Sequence, residues 1–594
     1  MTRQFRRTMR RLLCCTFLIL LGLAPAFGQE DVVMKAMRDE LGRSMAQLHL
    51  ENLDKPYFIA YQVNESTTTS VSATLGELTA SNSYRNRVLA VQMRVGDYAL
   101  DNTNYFSPAA FAGHVSSYRA LPLDDDYAQI RRAIWLATDA QYKSAAAALA
   151  AKRSVLQHRV GGYELPDFTK LPPSTYTQQP ITVKTDAAPL EKLARNVSEI
   201  FRDSPEVLSS GVTAYVSSSF TRYVSSEGTS YTRAEPMVFF SVGARTQATD
   251  GVPLEDSFQV YGRSPDALNA DEILTRTRAM LVRLKALRTA KTIERYNGPV
   301  LFEGAAAGEV LSQVFAPAVV AARFPISDEP QFESQMQQVL EQFGASLADR
   351  IGSRVMPEGF DLTDNPGARI AGATALMGSF GFDDEGVATR ETKLVENGRL
   401  QTLLSTRTPT QQTKLSSGNA RAVGPAPWNL FLTAKQPESG DELRKQLLTS
   451  AKQRGYDYGI VIRNTGSAGL SGLLRMATQM ASQNAGGAAI GVYKVFADGH
   501  EELVRAEINP LSLAGFKDIV AAGDKPVVYN SPFIPLVGTL LSGPGRTSGG
   551  GAVVSYVVPP LLFDEVLLKR PAGPMPKPPI VASPMPASPN ASAK

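Results

Sequence analysis

The sequence predicts an α+β protein: an N-terminal antiparallel sheet with long helices, then a β-rich C-terminal domain of barrel-like or sandwich-like form. Three observations carry this. Apolar residues recur at helical spacing in 31–50, where Val33, Met37, Leu41 and Met45 share one face. The segments PYFIAYQVNE, TSVSATLGELTAS and RVLAVQMRVGDYAL alternate polar and apolar and are rich in β-branched residues, as strands are. Near the other end, Asn397-Gly398 and Asp498-Gly499 sit between such segments, where positive φ at the central positions makes tight hairpins.

In chain order, the helix over 31–50 leads into a meander of three strands at 56–65, 69–81 and 87–100, and 102–120 reads as loop, with His114 in it. Asp124, Asp125 and Asp126 precede a long helix to about 158, since carboxylates suit the partial positive charge of a helix N-terminus. A calcium loop would need alternating oxygen ligands and a turn glycine, which this triplet lacks. Residues 161–180, rich in Pro, Thr and Tyr, form an extended connector. A helix over 188–202, strands at 212–216 and 222–224, a turn at Ser226-Glu227-Gly228, a strand over 237–247 and a helix over 267–287 follow.

Residues 297–323, NGPVLFEGAAAGEVLSQVFAPAVVAAR, read as a strand at 298–302, a small-residue entry and an apolar helix from about 309. Pro317 should kink that helix, because proline removes a backbone donor. A second helix over 331–351 precedes the hairpins at 397–398 and 498–499. The glycines of 543–551 lack a following Gly-Lys-Ser/Thr and lead into a strand, so they read as loop rather than a phosphate cradle.

At 594 residues, 43% hydrophobic and 20% charged, the chain is ordinary globular material with room for more than one domain. Its first 28 residues differ. Five arginines precede an apolar run over 12–23 and the small-residue stretch Ala24-Pro25-Ala26-Phe27-Gly28, the form of a Sec-type signal peptide and too short to span a bilayer comfortably. Those arginines, with no acid among them, outweigh the formal +4 and leave the rest of the chain near −1. That argues against nucleic acid as a partner, because phosphate binding draws on surplus positive charge. Both cysteines, Cys14 and Cys15, also fall in this segment. The expected location is periplasmic or secreted, with no transmembrane anchor in the mature chain. The Pro/Ala-rich tail 570–594 reads as disordered.

Common catalytic constellations find little support. The four histidines, His49, His114, His158 and His500, are dispersed, and Gly-x-Ser-x-Gly is absent. The pattern GPVL, small residues, then an apolar helix resembles the start of the C-terminal domain in the TldD/PmbA family of zinc peptidases, also described as modulators of gyrase. FDDEGVATRETKLVENGRL and GDKPVVYN resemble later family sequence, and YVSSEGTSY resembles an N-terminal-domain signature. The resemblance implies a helix carrying His-Glu-x-x-x-His, with a cysteine near the C-terminus as a further ligand.

Aligned residue by residue, this chain has Ser312 and Pro317 at the histidines, Gln313 at the glutamate and Ser542 at the cysteine. Zinc binds imidazole, thiolate or carboxylate, and its water needs a nearby base, so these four positions supply neither metal ligand nor catalytic residue. The resemblance implies division into the signal peptide 1–28, an N-terminal α+β domain over 29–290 with the connector 161–180, a TldD/PmbA-type domain over 296–568 and the tail 570–594. It implies a non-catalytic subunit without a cofactor of its own, zinc being carried by a TldD-like catalytic partner, in a heterodimer acting on unfolded peptides. The segment SSGNARAVGPAPWNL then places Asn419, Arg421 and Trp428 near a peptide, where an arginine could take a carboxylate or a carbonyl. An active peptidase with another site, or a free-standing periplasmic peptide-binding or scaffold protein, remains open at this stage.

Overall fold

The computed structural model describes residues 31–107, 118–159, 164–184, 186–342, 347–421, 424–466, 489–533 and 552–571. The signal segment, His114, Ser542, the glycines of 543–551 and the tail beyond 571 lie outside these residues. No helix among the described residues is long and apolar enough to cross a membrane.

Helix α1 (Val32–Gln47) begins at Asp31, whose carboxylate accepts the Met34 N–H at 2.9 Å. In place of three strands, residues 56–95 form one hairpin of two long strands, β1 (Pro56–Thr74) and β2 (Glu77–Val95). The turn falls at Leu75-Gly76, with φ of +50° and +87°, the backbone of a type I′ turn. The polar stretch NESTTT suggests a break, but its hydroxyls bond across strands: Thr69 meets Ser83 at 2.6 Å and Thr68 meets Ser217 at 3.0 Å. Short β3 (Tyr118–Ala120) pairs with β2. Asp126 caps α2 (Tyr127–His158) by accepting the Gln129 N–H, while Asp125 pairs with buried Arg87 at 2.7 Å.

After α3 (Ala187–Glu199), the expected short strands at 212–216 and 222–224 are one strand, β4 (Ser209–Ser225). It is followed by β5 (Ser230–Gln247), β6 (Pro253–Gly262), which the sequence reading missed, and α4 (Ala270–Leu287). The sheet order is β3-β2-β1-β4-β5, with β6 and the two-residue strand Thr175–Tyr176 both on the outer edge of β5.

Strand alternation divides this sheet into two faces. Ile59, Tyr61 and Val63 of β1 and Leu89 and Val91 of β2 pack beneath α1 and α2. Val71, Val216, Val238 and Phe240 pack beneath α3 and α4. These four helices therefore cover one face. The intervening residues, such as Gln62, Asn64, Gln92, Ser219 and Thr221, point to the other face, toward the C-terminal half.

That half contains two six-stranded sheets. Its strands are β7 (Arg295–Phe302), β8 (Phe360–Asp364), β9 (Thr392–Glu396), β10 (Arg399–Leu400), β11 (Asn429–Ala434) and β12 (Tyr458–Asn464). They continue as β13 (Ala489–Phe496), β14 (Glu501–Ile508), β15 (Ile519–Ala522), β16 (Val527–Phe533), β17 (Ala552–Val558) and β18 (Leu561–Lys569). One sheet runs β10-β9-β8-β11-β17-β16; the other runs β14-β13-β12-β7-β18-β15. A further pairing of β14 with β18, Glu507 opposite Lys569 and Ile508 opposite Leu568, closes five strands of the second sheet on themselves. The fold is α+β with a β-rich C-terminal half.

The two expected hairpins use different turns. Asn397 and Gly398 both have positive φ, +49° and +76°, as a type I′ turn requires. At 498–499 only Gly499 does, and the Phe496 N–H to His500 O bond marks a three-residue loop. The helix expected over 331–351 is shorter, α6 (Pro330–Gln342), with a 3₁₀ turn at Ala348–Arg350; α5 is described with the site below.

Candidate functional site

Between the two C-terminal sheets runs the segment that the resemblance aligns with a metal-binding helix. From β7 the chain turns at Gly304, where a φ of +58° favours glycine, into the short helix α5 (Ala305–Val310). It then widens into a π-helical turn, Leu311–Phe315, and tightens to a 3₁₀ turn, Ala316–Val319. Instead of a simple kink at Pro317, the irregularity starts one turn earlier. The Ala316 N–H reaches back five residues to Leu311 O.

This changes what residues five apart can do. On a regular helix they sit about 140° apart; the wider turn brings them toward one face. Between Ala306 and Val319, the three residues that reach solvent are Ser312, Gln313 and Pro317. Every other residue of that stretch is buried, with Val310, Leu311, Val314 and Phe315 in one core with Leu430, Tyr556, Ile460 and Phe563. Burying each such side chain contributes roughly 1.5–3 kcal/mol, so core packing and not helix propensity holds this shape.

The donor set on the open face does not fit zinc. Ser312 offers a hydroxyl, which bonds the Glu309 carbonyl at 3.1 Å, Gln313 offers an amide and Pro317 nothing. Glu309, the acid of this segment, faces the other way. Its carboxylate accepts the Thr465 N–H at 2.9 Å and hydroxyl at 2.6 Å, and burial pushes its pKa up. Strands β16 and β17, which flank Ser542 in sequence, pack against the helix, and Tyr529 lies so close to Gly308 that any β-carbon there would clash. Among the described residues no cluster of three histidine, cysteine, aspartate or glutamate side chains could hold a metal. His49, His158 and His500 are all exposed.

A cleft of about 930 Å³ lies between the free face of the N-terminal sheet and the C-terminal half. Its sheet wall includes the polar residues Gln62, Asn64, Gln92, Ser217, Ser219 and Thr221, set by strand alternation, alongside Val88, Tyr223 and Met237. Family-like motifs meet beside it. Phe382 stacks on Tyr231, Arg233 pairs with Asp384 at 2.8 Å and with Glu235, and Arg407 reaches Glu227 of the turn in YVSSEGTSY. Asp383 is fully buried and accepts the N–H groups of Glu385, Val387 and Ala420, which shapes the loop.

The three residues proposed for peptide contact are placed differently from one another. Arg421 and Trp428 are in the cleft wall, the guanidinium 4.3 Å from the indole centre. Asn419 is fully buried behind it, its amide donating to Asp364 at 2.7 Å and to the Ala426 carbonyl at 3.1 Å. Arg233, Arg263 and Phe380, also in the wall, were missed because their neighbourhood is assembled across β5, β6 and the 376–384 segment.

Asp364 organises this wall. It accepts the N–H groups of Trp428 and Asn429 at 2.8 and 2.9 Å as well as the Asn419 amide. Burial outweighs these bonds and pushes its pKa up to about 6. A raised acid holds its proton in the folded chain where the unfolded chain, near 3.9, has lost it, so this contribution is fully present below about pH 3.9 and lost as pH rises through 6. Asp364→Asn removes the titration. Wild type should lose about 2–3 kcal/mol relative to that variant between pH 4 and 7. Denaturant midpoints for both proteins across that range check it; a constant gap contradicts the assignment.

Comparison with known proteins agrees with this architecture. Residues 295–490 match the profile of the PmbA/TldA metallopeptidase C-terminal domain. A "Metalloprotease" of Methanothermobacter thermautotrophicus is 41% identical over 83 residues, 14% of this chain. The chain spans 17% of that relative's length in this match. Solved structures extend the likeness in fold: TldE from Thermococcus kodakarensis gives a TM-score of 0.54 at 13% identity, covering 90% of this chain and 99% of that one. A proposed modulator of a DNA gyrase from Thermotoga maritima gives 0.53 at 16% identity, covering 86% and 96%. Through residues 295–490, which hold strands β7 to β12 of the two C-terminal sheets, the chain belongs to the TldD/PmbA family of metallopeptidase-related proteins.

Proposed function

We propose that this chain is an exported, non-catalytic subunit of a TldD/PmbA-type peptidase pair, which holds an unfolded peptide while a partner with an intact His-Glu-x-x-x-His motif supplies zinc and cleavage. The observation that carries the reading is the helix itself. It contains a π turn that presents positions 312, 313 and 317 to solvent, and fills them with serine, glutamine and proline. The hydroxyl and amide side chains of the cleft wall support peptide binding, because they can pair with an extended backbone that has no partners of its own. The arginine-rich start and apolar run support export.

The test is metal analysis and peptide hydrolysis on the purified chain, alone and mixed with a relative carrying the intact motif. Expected results are no stoichiometric zinc and no hydrolysis alone, and a stable mixed complex that cleaves unstructured peptides. One zinc per chain with hydrolysis by this chain alone would overturn the reading in favour of a peptidase with a different site. A homo-oligomer that never pairs would overturn it in favour of a free-standing binding protein.

A further inference from the structure

Six arginines are buried among the described residues: Arg87, Arg94, Arg233, Arg407, Arg421 and Arg505. Five pair with carboxylates, namely Asp125, Asp101, Asp384, Glu227 and Asp250 in turn. Arg421 does not. Its guanidinium donates to the carbonyls of Pro427 at 2.6 Å and Val553 at 3.1 Å. Arg263, on another element of the same cleft wall, repeats the pattern, donating to the carbonyls of Leu376 at 3.0 Å and Met377 at 2.9 Å. Burial lowers the pKa of both, Arg421 to about 10, and no carboxylate among the described residues pairs with either.

Two aromatic rings join them. Arg263 lies 5.1 Å from the centre of Phe380, Phe380 lies 5.2 Å from Trp428, and Trp428 lies 4.3 Å from Arg421. The acids of the cleft are engaged elsewhere: Glu235 and Asp384 on Arg233, Glu385 on the Arg407 N–H. Asp384 and Glu235 offset part of the burial of Arg421 without bonding to it. A buried cation is costly unless paired, and each guanidinium has five donors, of which protein carbonyls take a part. The rings hold the two planes in place, and a planar fork matches a carboxylate.

We propose that Arg263, Phe380, Trp428 and Arg421 form a carboxylate-binding subsite of the cleft, taking either the free C-terminus or an acidic side chain of a bound polypeptide. This rests on the peptide-binding reading above and adds polarity to it: a chain held by its C-terminal carboxylate enters the cleft in one direction.

The experiment measures fluorescence anisotropy of the full chain with one labelled, unstructured peptide in three forms: free acid, C-terminal amide, and amide with two internal glutamates. The free acid is expected to bind about tenfold or more tighter than the neutral amide, as a charge-assisted bond would give. Recovery of binding by the glutamate-bearing amide would assign the site to acidic side chains as well. Arg263→Gln and Arg421→Gln should abolish the acid preference, and since Arg421 also ties Pro427 to Val553, Arg263→Gln serves if Arg421→Gln fails to fold. Equal binding of all three forms to wild type overturns the subsite and leaves peptide binding standing. Binding of none overturns peptide binding, and the subsite with it.

Discussion

A quadruple variant, Ser312→His, Gln313→Glu, Pro317→His and Ser542→Cys, is expected to retain one zinc ion per chain after exhaustive dialysis, where wild type retains none. The expectation rests on backbone already in place. Two imidazoles five residues apart cannot meet one ion on a regular helix, and the hard part of building such a site is the distortion that brings them together. Here Leu311–Phe315 already supplies it, and the three positions already face solvent from a segment otherwise packed in the core. Pro317→His also returns an N–H that can donate five residues back to the Ser312 carbonyl, extending the bond that Ala316 makes to Leu311. The thiolate matters because two imidazoles alone fall short of the three protein ligands that hold a water-bearing zinc. The variant without Ser542→Cys should therefore bind more weakly and lose metal to a chelator first. Metal analysis, with circular dichroism to confirm folding, decides it. A folded quadruple variant with no more zinc than wild type would show that the helix has lost the geometry along with the ligands.

What the sequence reveals differs between the two halves of that site. The helix and its location are legible because GPVL, a small-residue entry and an apolar run stand together in sequence. The π turn is not, since proline at 317 signals an interruption without saying that the turn before it is wider. Strand lengths misled for a related reason. Polar runs such as NESTTT and VSSSFTR look like breaks, but one face of each long strand lines a cleft and needs no apolar residues. Arg421 and Trp428 could be singled out from one loop, while Arg263 and Phe380 join them only through folding. The burial of Asn419 is not legible: an amide in a loop looks available for contact, and its place behind Asp364 depends on a strand far away in sequence.

Arg407→Ala is expected to cost about 3–5 kcal/mol and to split a single unfolding transition into two, because this residue joins the halves of the chain. Its guanidinium is 1% exposed and bonds both carboxylate oxygens of Glu227, at 2.9 and 2.7 Å. It also donates to the Thr169 carbonyl at 2.9 and 2.6 Å and lies 3.8 Å from the centre of Phe168. Removing it strands Glu227, 5% exposed, with only the Tyr98 hydroxyl and the Leu171 N–H. Surface pairs such as Lys35 with Asp39 contribute at most about 1 kcal/mol, so no comparable loss is expected from them. The cost should lie in the unpaired charge more than in the bond itself. Arg407→Met combined with Glu227→Gln should then recover much of the stability, which a simple loss of contacts would not allow. Calorimetry separates these outcomes, and it also bears on the cleft. Glu227 lies in the turn of the N-terminal sheet and Glu385 accepts the Arg407 N–H, so the latch fixes how the 383–385 loop meets that sheet. If Arg407→Ala leaves one unsplit transition at the wild-type temperature, the two halves are held by something other than this pair.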